Sequence, residues 1–515
     1  VHVDARTLEH GTLIEGDLCI VGAGAAGISL ALEWRGAGHR VILLEGGGFE
    51  LESEVQDLYR GEIAGRRYYP LQSARLHFFG GTTGHWGGHC APYDAQDFEA
   101  REWVPGSGWP IGRADLDPYY ARVHPLVEVP GPFEYDAGYW EREDPDLRRL
   151  PFDARRVWTK IWQFSPPTRF GTRYRDALLR APDVHLYTHA NVCNIEADAS
   201  VTRIDGLEVR GFDGRRQQVR ARAYVLACCA IQNARLLLAS NGRASAGLGN
   251  DRDQVGRYFM DHLEVATARL VLPAPGPLKL YLYDTFQTRI HGQLALTAEA
   301  QREQRILNGT VALIPAPLAD PSAAIDWFPA DAGEVLKIWD EMERAYRAGE
   351  RPRADPSKYR EFVLFARQEQ APNPASRITL SGEKDALGVP RARLDWRLSD
   401  LDARSMRAMH RVLGREVGRS GIGRLRLDEW LTRDAPAWPD TLGGGWHHMG
   451  TTRMHADPKH GVVDANCKVH GIANLYVASS GVHPTSGAAN PTLTLLALTL
   501  RLSDHLKAAF AARRI

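Results

Sequence analysis

The sequence predicts a mixed α/β fold, and three observations carry that prediction. An apolar run, a glycine-rich turn, a helical stretch and a second apolar run follow one another over 17–48. Short strand patterns recur over 184–226. A long helical pattern returns after Asn490-Pro491 and runs on to 506.

The opening unit is the most specific of these. Leu18, Cys19, Ile20 and Val21 form a short apolar run, which suits a strand buried on both faces of a parallel sheet. Gly22, Gly24 and Gly27 then have the G-x-G-x-x-G spacing. The first permits a tight turn, the second lets backbone approach a pyrophosphate, and the third lets the next helix lie close to the strand. Ala25 and Ala26 open that helix, expected over 25–36 with Ile28, Leu32 and Trp34 among its apolar residues. Its free N–H groups and its dipole favour phosphates. The second run, 41–44, ends in Glu45, 18 residues after Gly27. A carboxylate there suits a ribose and argues against a 2'-phosphate, hence against NADP. The unit reads as a Rossmann-like dinucleotide site, with FAD and NAD both open.

Composition bounds the rest. A chain of 515 residues exceeds one ordinary core, so two or three folding units are expected. Lys plus Arg and Asp plus Glu number 63 each. That balance gives no support to a nucleic-acid partner or an anionic membrane surface. No run of 18 apolar residues is present, so no membrane span is expected. The six cysteines form neither C-x-x-C nor C-x-x-C-H, which argues against zinc and c-type haem. Sparse cysteines suit a reducing compartment. The first residues carry no targeting pattern, and a cytoplasmic location is the expectation.

Residues 49–79 are polar and aromatic without clear period. Gly80-Gly81-Thr82-Thr83-Gly84-His85-Trp86-Gly87-Gly88 follows, and so many glycines together suggest backbone close to a ligand. Residues 91–180 are rich in Trp, Tyr, Pro and Arg, with a helix start near 115–120. Strands are expected at 184–187, 192–196, 206–210 and 225–227, with a hairpin turn at Asp213-Gly214. Residues 229–238 read as a strand-to-helix step and a second return to the cofactor. Asp331 to Glu334 resembles a capping box. Val335, Ile338, Trp339, Met342 and Tyr346 would share a helical face after it. Another helix is expected over 402–417.

Two late stretches carry chemistry: Trp446-His447-His448-Met449-Gly450-Thr451-Thr452-Arg453-Met454, and 483–494 with Asn490-Pro491-Thr492. Pro491 suits the first position of a helix. A turn at 461–464 and a buried strand at 474–478 lie between them.

With these stretches the chain resembles the glucose–methanol–choline (GMC) oxidoreductases. The resemblance runs through the opening glycines, 80–88, 227–238 and 446 onward, and is loosest over 265–440. It sits closest to the pyranose 2-oxidase and sugar dehydrogenase side of the family. It implies FAD as cofactor and oxidation of an alcohol to a carbonyl, with hydride passing to flavin N5. By resemblance His447 is the catalytic base, and Asn490 holds the second position of the family's catalytic pair. A neutral imidazole suits removal of a hydroxyl proton near pH 7. The cofactor wall would take Gly22, Gly24, Ala25, Ala26, Gly27 and Glu45, then Gly80, Gly81, Thr82, Thr83, His85, Trp86 and Gly87. Val192, Cys228, Asn233, Ser480, Pro491 and Thr492 would complete it. His85 aligns with a histidine that carries FAD covalently in some relatives, although Gly84 replaces their preceding Ser or Thr; a covalent bond and simple packing both stay open. Cys228-Cys229-Ala230 stands where relatives often carry glycine. His448 is expected in a supporting role and His483 in a core or cavity wall.

The resulting expectation is a Rossmann-like FAD domain from 1–90, 181–264 and 441–515. A substrate domain from 91–180 and 265–440 would be a mostly antiparallel sheet with covering helices. The substrate is expected to be a small alcohol, best a sugar or glycoside hydroxyl, with steroid, aryl or choline-like alcohols as alternatives. Oxygen or a separate quinone or cytochrome would accept the electrons. A hydroxynitrile lyase on the same fold and a non-catalytic flavin-binding subunit are the rivals from other classes. No metal site is expected, and oligomeric state is open.

Overall fold

We describe a computed structural model of the chain, covering all residues except 277, 283–289, 319–330, 348–357 and 434–436. Its centre is a six-stranded parallel sheet. The order is His2–Asp4, Val184–Thr188, Val41–Leu44, Leu18–Val21, Ala223–Leu226 and Leu475–Val477. The apolar runs behave as expected: every residue of Leu18–Val21, Val41–Leu44 and Ala223–Leu226 is buried. Register aligns the strand ends. Val21 stands beside Leu44 on one side and Leu226 on the other, and Leu226 stands beside Val477. The carboxyl ends of four strands therefore open onto one edge, the usual place for a ligand in such a sheet.

The helix after the first strand is Ala25–Glu33, shorter than 25–36. Trp34 caps it and is fully buried. It packs against Thr492–Ala511 and Phe170–Leu179. The hairpin at Asp213-Gly214 forms between Ile204–Arg210 and Arg216–Arg220. With Asn191–Ala197 and Leu13–Glu15 these make a four-stranded sheet.

An eight-stranded antiparallel sheet forms the second half of the molecule. Its path is Arg424–Leu427, Leu263–Val271, Glu361–Gln368, Gly309–Pro315, Ile290–Leu296, Val157–Phe164 and His89–Cys90, and Gly443–Gly444 pairs with Leu263–Val271. Helices Ala332–Arg347 and Asp400–Ser420 belong to this half of the sequence. Asp331 accepts the N–H of Glu334 at 3.0 Å, as the capping reading expects. Val335 is fully buried. The Met342 and Tyr346 side chains of that expected face lie outside the described residues. Arg377–Lys384, Pro390–Trp396 and Glu62–Gly65 form a small third sheet. Among the described residues no helix is long and apolar enough to cross a membrane.

Candidate active site

A cleft runs along the carboxyl edge of the parallel sheet. It is lined by Val21, Leu44, Ala227 and Ala478 at the strand ends. About 1570 Å³ inside it is free of protein atoms, its open mouth included.

The two early glycine stretches meet here. Gly22 has a φ of +102°, and a Cβ there would stand 3.0 Å from the Ala227 carbonyl oxygen. A Cβ on Gly27 would stand 1.9 Å from the Gly22 carbonyl oxygen, so this glycine sets how closely helix and strand approach. Gly24 differs. A Cβ there would meet nothing within 4 Å, and the residue lines the cleft. It also caps helix Ala25–Glu33 with no side-chain hydrogen bond, which leaves the first amides for a ligand. Gly80 N donates to the Ala23 carbonyl at 2.8 Å. A Cβ on Gly81 would lie 3.2 Å from Gly24 Cα. Glu45 accepts the N–H groups of Ala23 at 2.9 Å and Gly47 at 3.0 Å. Burial raises its carboxyl above the usual range, and those N–H groups oppose the shift.

Of the expected cofactor residues, Gly22, Gly24, Ala25, Ala26, Glu45, Gly81, Thr82, Thr83, Trp86, Val192, Cys228, Ser480, Pro491 and Thr492 line the cleft. Gly27, Gly80, Gly87, His85 and Asn233 are not among the residues that line it. Gly80, with φ +102°, packs on Gly171. Asn233 ties down the Cys228 and Leu226 carbonyls. His85 is 2% exposed, its ring 4.9 Å from that of Trp446, and its Nε2 has no hydrogen-bond partner among the described residues. Arg75, Tyr59, His77 and Arg235 also line the cleft, although no sequence motif marks them. Arg75 stacks on Tyr59 at 4.2 Å and donates to Cys229 Sγ at 3.4 Å. The donor set suits FAD: open space over Gly24, free helix amides and a carboxylate near them.

The loop bearing His447 is laced on both sides. Met260 and Met449 exchange backbone hydrogen bonds of 3.0 and 2.9 Å. Thr452 N and Met454 N donate to Gly481 and Val482. Trp446 takes a left-handed φ of +58°, an uncommon conformation that surrounding contacts must hold. Asp261 does so. One of its oxygens accepts the N–H groups of His262, Gly445 and His447 at 2.7, 3.0 and 2.9 Å, and the other accepts the Tyr68 hydroxyl. Burial pushes the Asp261 carboxyl up to about 7.

His447 and Asn490 meet. The Asn490 amide Nδ2 lies 3.0 Å from His447 Nε2. The Asn490 carbonyl accepts from Arg367 Nη1 at 2.8 Å and Trp162 Nε1 at 3.1 Å, and Arg367 Nε donates to Glu264 at 2.6 Å. Asn490 does not cap the following helix; Pro491 occupies the cap position rather than the first turn, with no side-chain cap bond. His447 Nδ1 lies 2.8 Å from His262 Nδ1. Burial, then the neighbouring His262 and Arg367, hold His447 well below its ordinary value, so the ring is neutral. His448 lines the cleft beside it, with its own ring pushed down to about 3 by burial. His483 is fully buried against Tyr93 and Trp109.

The C-terminal GMC oxidoreductase family model matches residues 372–499, which include both His447 and Asn490. Over those residues the chain is similar to the GMC oxidoreductases. Its cofactor is FAD, and it is an oxidase or dehydrogenase acting on CH–OH groups. Paromamine 6'-oxidase of Streptomyces fradiae is 27% identical, over 94% of this chain and 90% of its own length. Pyranose 2-oxidase of Tricholoma matsutake is 23% identical, over 86% and 76%. Pyridoxine 4-oxidase from Mesorbium loti shares the fold of this chain with a TM-score of 0.58 at 19% identity, covering 95% of this chain and 98% of that one.

Proposed function

We propose that this protein oxidises a hydroxyl of a sugar or glycoside to the carbonyl, with His447 as base and Asn490 as partner of the reacting oxygen. The observation that carries the reading is the neutral imidazole of His447 meeting the Asn490 amide at 3.0 Å, on a loop that lines the cleft. When bound, FAD supplies the acceptor for the hydride lost from the carbinol carbon. Gly24, Ala25 and Ala26 would hold its pyrophosphate and Glu45 its ribose, and Thr82, Thr83, Trp86, Ser480 and Thr492 would line its remaining length. His447 would take the hydroxyl proton at Nε2, since its Nδ1 faces His262. Asn490 would hold the same oxygen through Nδ2 while Arg367 and Trp162 fix the amide. The likeness to paromamine 6'-oxidase and pyranose 2-oxidase supports a sugar hydroxyl over a steroid or aryl alcohol.

The test is the visible absorbance of the purified flavoprotein, mixed anaerobically with sugars, glycosides and simple alcohols. Bleaching by a sugar or glycoside is expected. Bleaching by non-sugar alcohols alone would overturn the substrate class. Failure with every compound, together with cyanide release from a cyanohydrin, would overturn the oxidation itself. Admitting air then separates the acceptors: rapid recovery of colour means oxygen, and slow recovery a dedicated partner. Because the His85 ring is enclosed and outside the cleft wall, acid denaturation is expected to release the flavin; colour retained on the chain and lost in His85→Ala would establish a covalent bond.

A further inference from the structure

The protons of His447 can be located from both sides. On one side, His262 Nε2 lies 2.9 Å from the Gly487 carbonyl and 3.2 Å from that of Ser486. Carbonyl oxygens only accept, so His262 Nε2 carries the proton. The His262 ring is fully buried, and burial pushes it down to about 3, so it is neutral and its Nδ1 holds a lone pair. That Nδ1 faces His447 Nδ1 at 2.8 Å, which must therefore be the donor. On the other side, the Asn490 carbonyl accepts from two groups that can only donate, Arg367 and Trp162. Its Nδ2 therefore points at His447 Nε2 and donates to it. The two chains of reasoning share no residue except His447 and give the same result: a proton on Nδ1 and a lone pair on Nε2.

We propose that His262 is a positioning residue that locks His447 in the tautomer whose Nε2 can act as base. Which imidazole nitrogen is protonated follows from the bond made by the other. Among the described residues, Nδ1 of His447 has no hydrogen-bond partner besides His262. Without that acceptor only the Asn490 amide opposes a proton on Nε2, where it would block the base. His262 is itself held by the Ser486 and Gly487 carbonyls, in the segment that also carries Asn490. One strand-to-helix connection thus orients both members of the pair, the amide directly and the imidazole through His262. The inference rests on His447 being the base.

The experiment uses the full-length flavoprotein and its variants His262→Phe, His262→Asn and His447→Ala. Phenylalanine fills the ring's space and accepts nothing; asparagine offers a carbonyl to His447 and an amide to the main chain. In the wild type, nitrogen NMR of ¹⁵N-histidine-labelled protein should show His447 with Nδ1 protonated and Nε2 bare. The reverse would overturn the proposal whatever the variants do. In His262→Phe, kcat should fall by about 10²- to 10⁴-fold, the scale of losing a group that sets a catalytic tautomer. KM and flavin content should stay near wild type, and His262→Asn should restore most of the loss. Wild-type kcat in His262→Phe beside an inactive His447→Ala would overturn the positioning role and leave the base reading intact. Wild-type turnover in His447→Ala would overturn both. If His262→Phe fails to bind flavin, the asparagine variant and the wild-type spectrum decide: low kcat in His262→Asn with an unchanged His447 tautomer overturns the proposal.

Discussion

The roles proposed for His447 and Asn490 make separable predictions. His447→Ala should lower kcat by about 10²- to 10⁴-fold while flavin stays bound, the range for losing a positioned base; steady-state kinetics with flavin content measured in parallel checks this. Asn490→Ala should cost about 10- to 100-fold in kcat. It removes the amide that faces His447 and strands the Arg367 and Trp162 donors, each buried donor left unpaired costing about 1–3 kcal/mol. Because burial holds His447 well below 6.5, the neutral base persists into acid, and the acid limb of kcat/KM should lie below pH 6.5. A limb at or above that value would mean another group controls it. The structure brings to 3.0 Å the two residues that the family resemblance had paired, both of which sit in compact, recognisable stretches. Their supports were not legible in the sequence. His262, Arg367 and Trp162 are single polar residues in or beside strands, 185, 123 and 328 positions away from the partners they hold. Nothing local distinguishes a strand arginine that grips an asparagine from one that faces water.

The elements around the opening glycines can be tested by two substitutions with opposite consequences. Gly24 has extended backbone that any residue adopts, and open space where its side chain would be. Gly24→Val should fold with wild-type circular dichroism and bind little flavin. Gly27 faces the Gly22 carbonyl at a distance no Cβ tolerates. Gly27→Ala should therefore destabilise the fold by about 1–3 kcal/mol, the scale of overpacking, read as a lower denaturant midpoint. Period and glycine spacing were enough to place these elements, the hairpin, and the helices Ala332–Arg347 and Asp400–Ser420 to within a few residues. They were not enough for Pro491, expected at the first helical position and found one place earlier, at the cap. The short helix Ser53–Asp57 and strand Glu62–Gly65 left no period to read, since neither is long enough to show one.

At the scale of the molecule, the buried histidines set the acid limit. Burial pushes His77, His262, His291, His448 and His483 down to about 3, and His85, His124 and His410 down to about 4. Each binds its proton more readily unfolded, so the stability it permits is whole above 6.5 and is lost as pH falls toward the folded value. Asp97 and Asp261, raised to about 7, and Asp402, raised to about 6, act in the opposite sense. The histidines outnumber them. The unfolding temperature should therefore fall steadily from pH 6.5 to about 4; a flat or rising profile would contradict the burial of these rings. That the fold is α/β was legible from the opening unit, whereas the strand order was not. Strand pairing joins residues hundreds apart, and no sequence period encodes that.

The place of strand Leu475–Val477 at the edge of the parallel sheet has a consequence for biosynthesis. It pairs with Ala223–Leu226, which pairs with Leu18–Val21. On the ribosome the first two partners emerge about 250 residues before the third, and His447, Asn490 and helix Thr492–Ala511 emerge around it. The nascent protein must keep an open sheet edge and an unfinished cleft until Leu475–Val477 has been made. Flavin capture should accordingly be a late event, a gathering of distant segments around a nucleotide rather than the filling of a finished pocket.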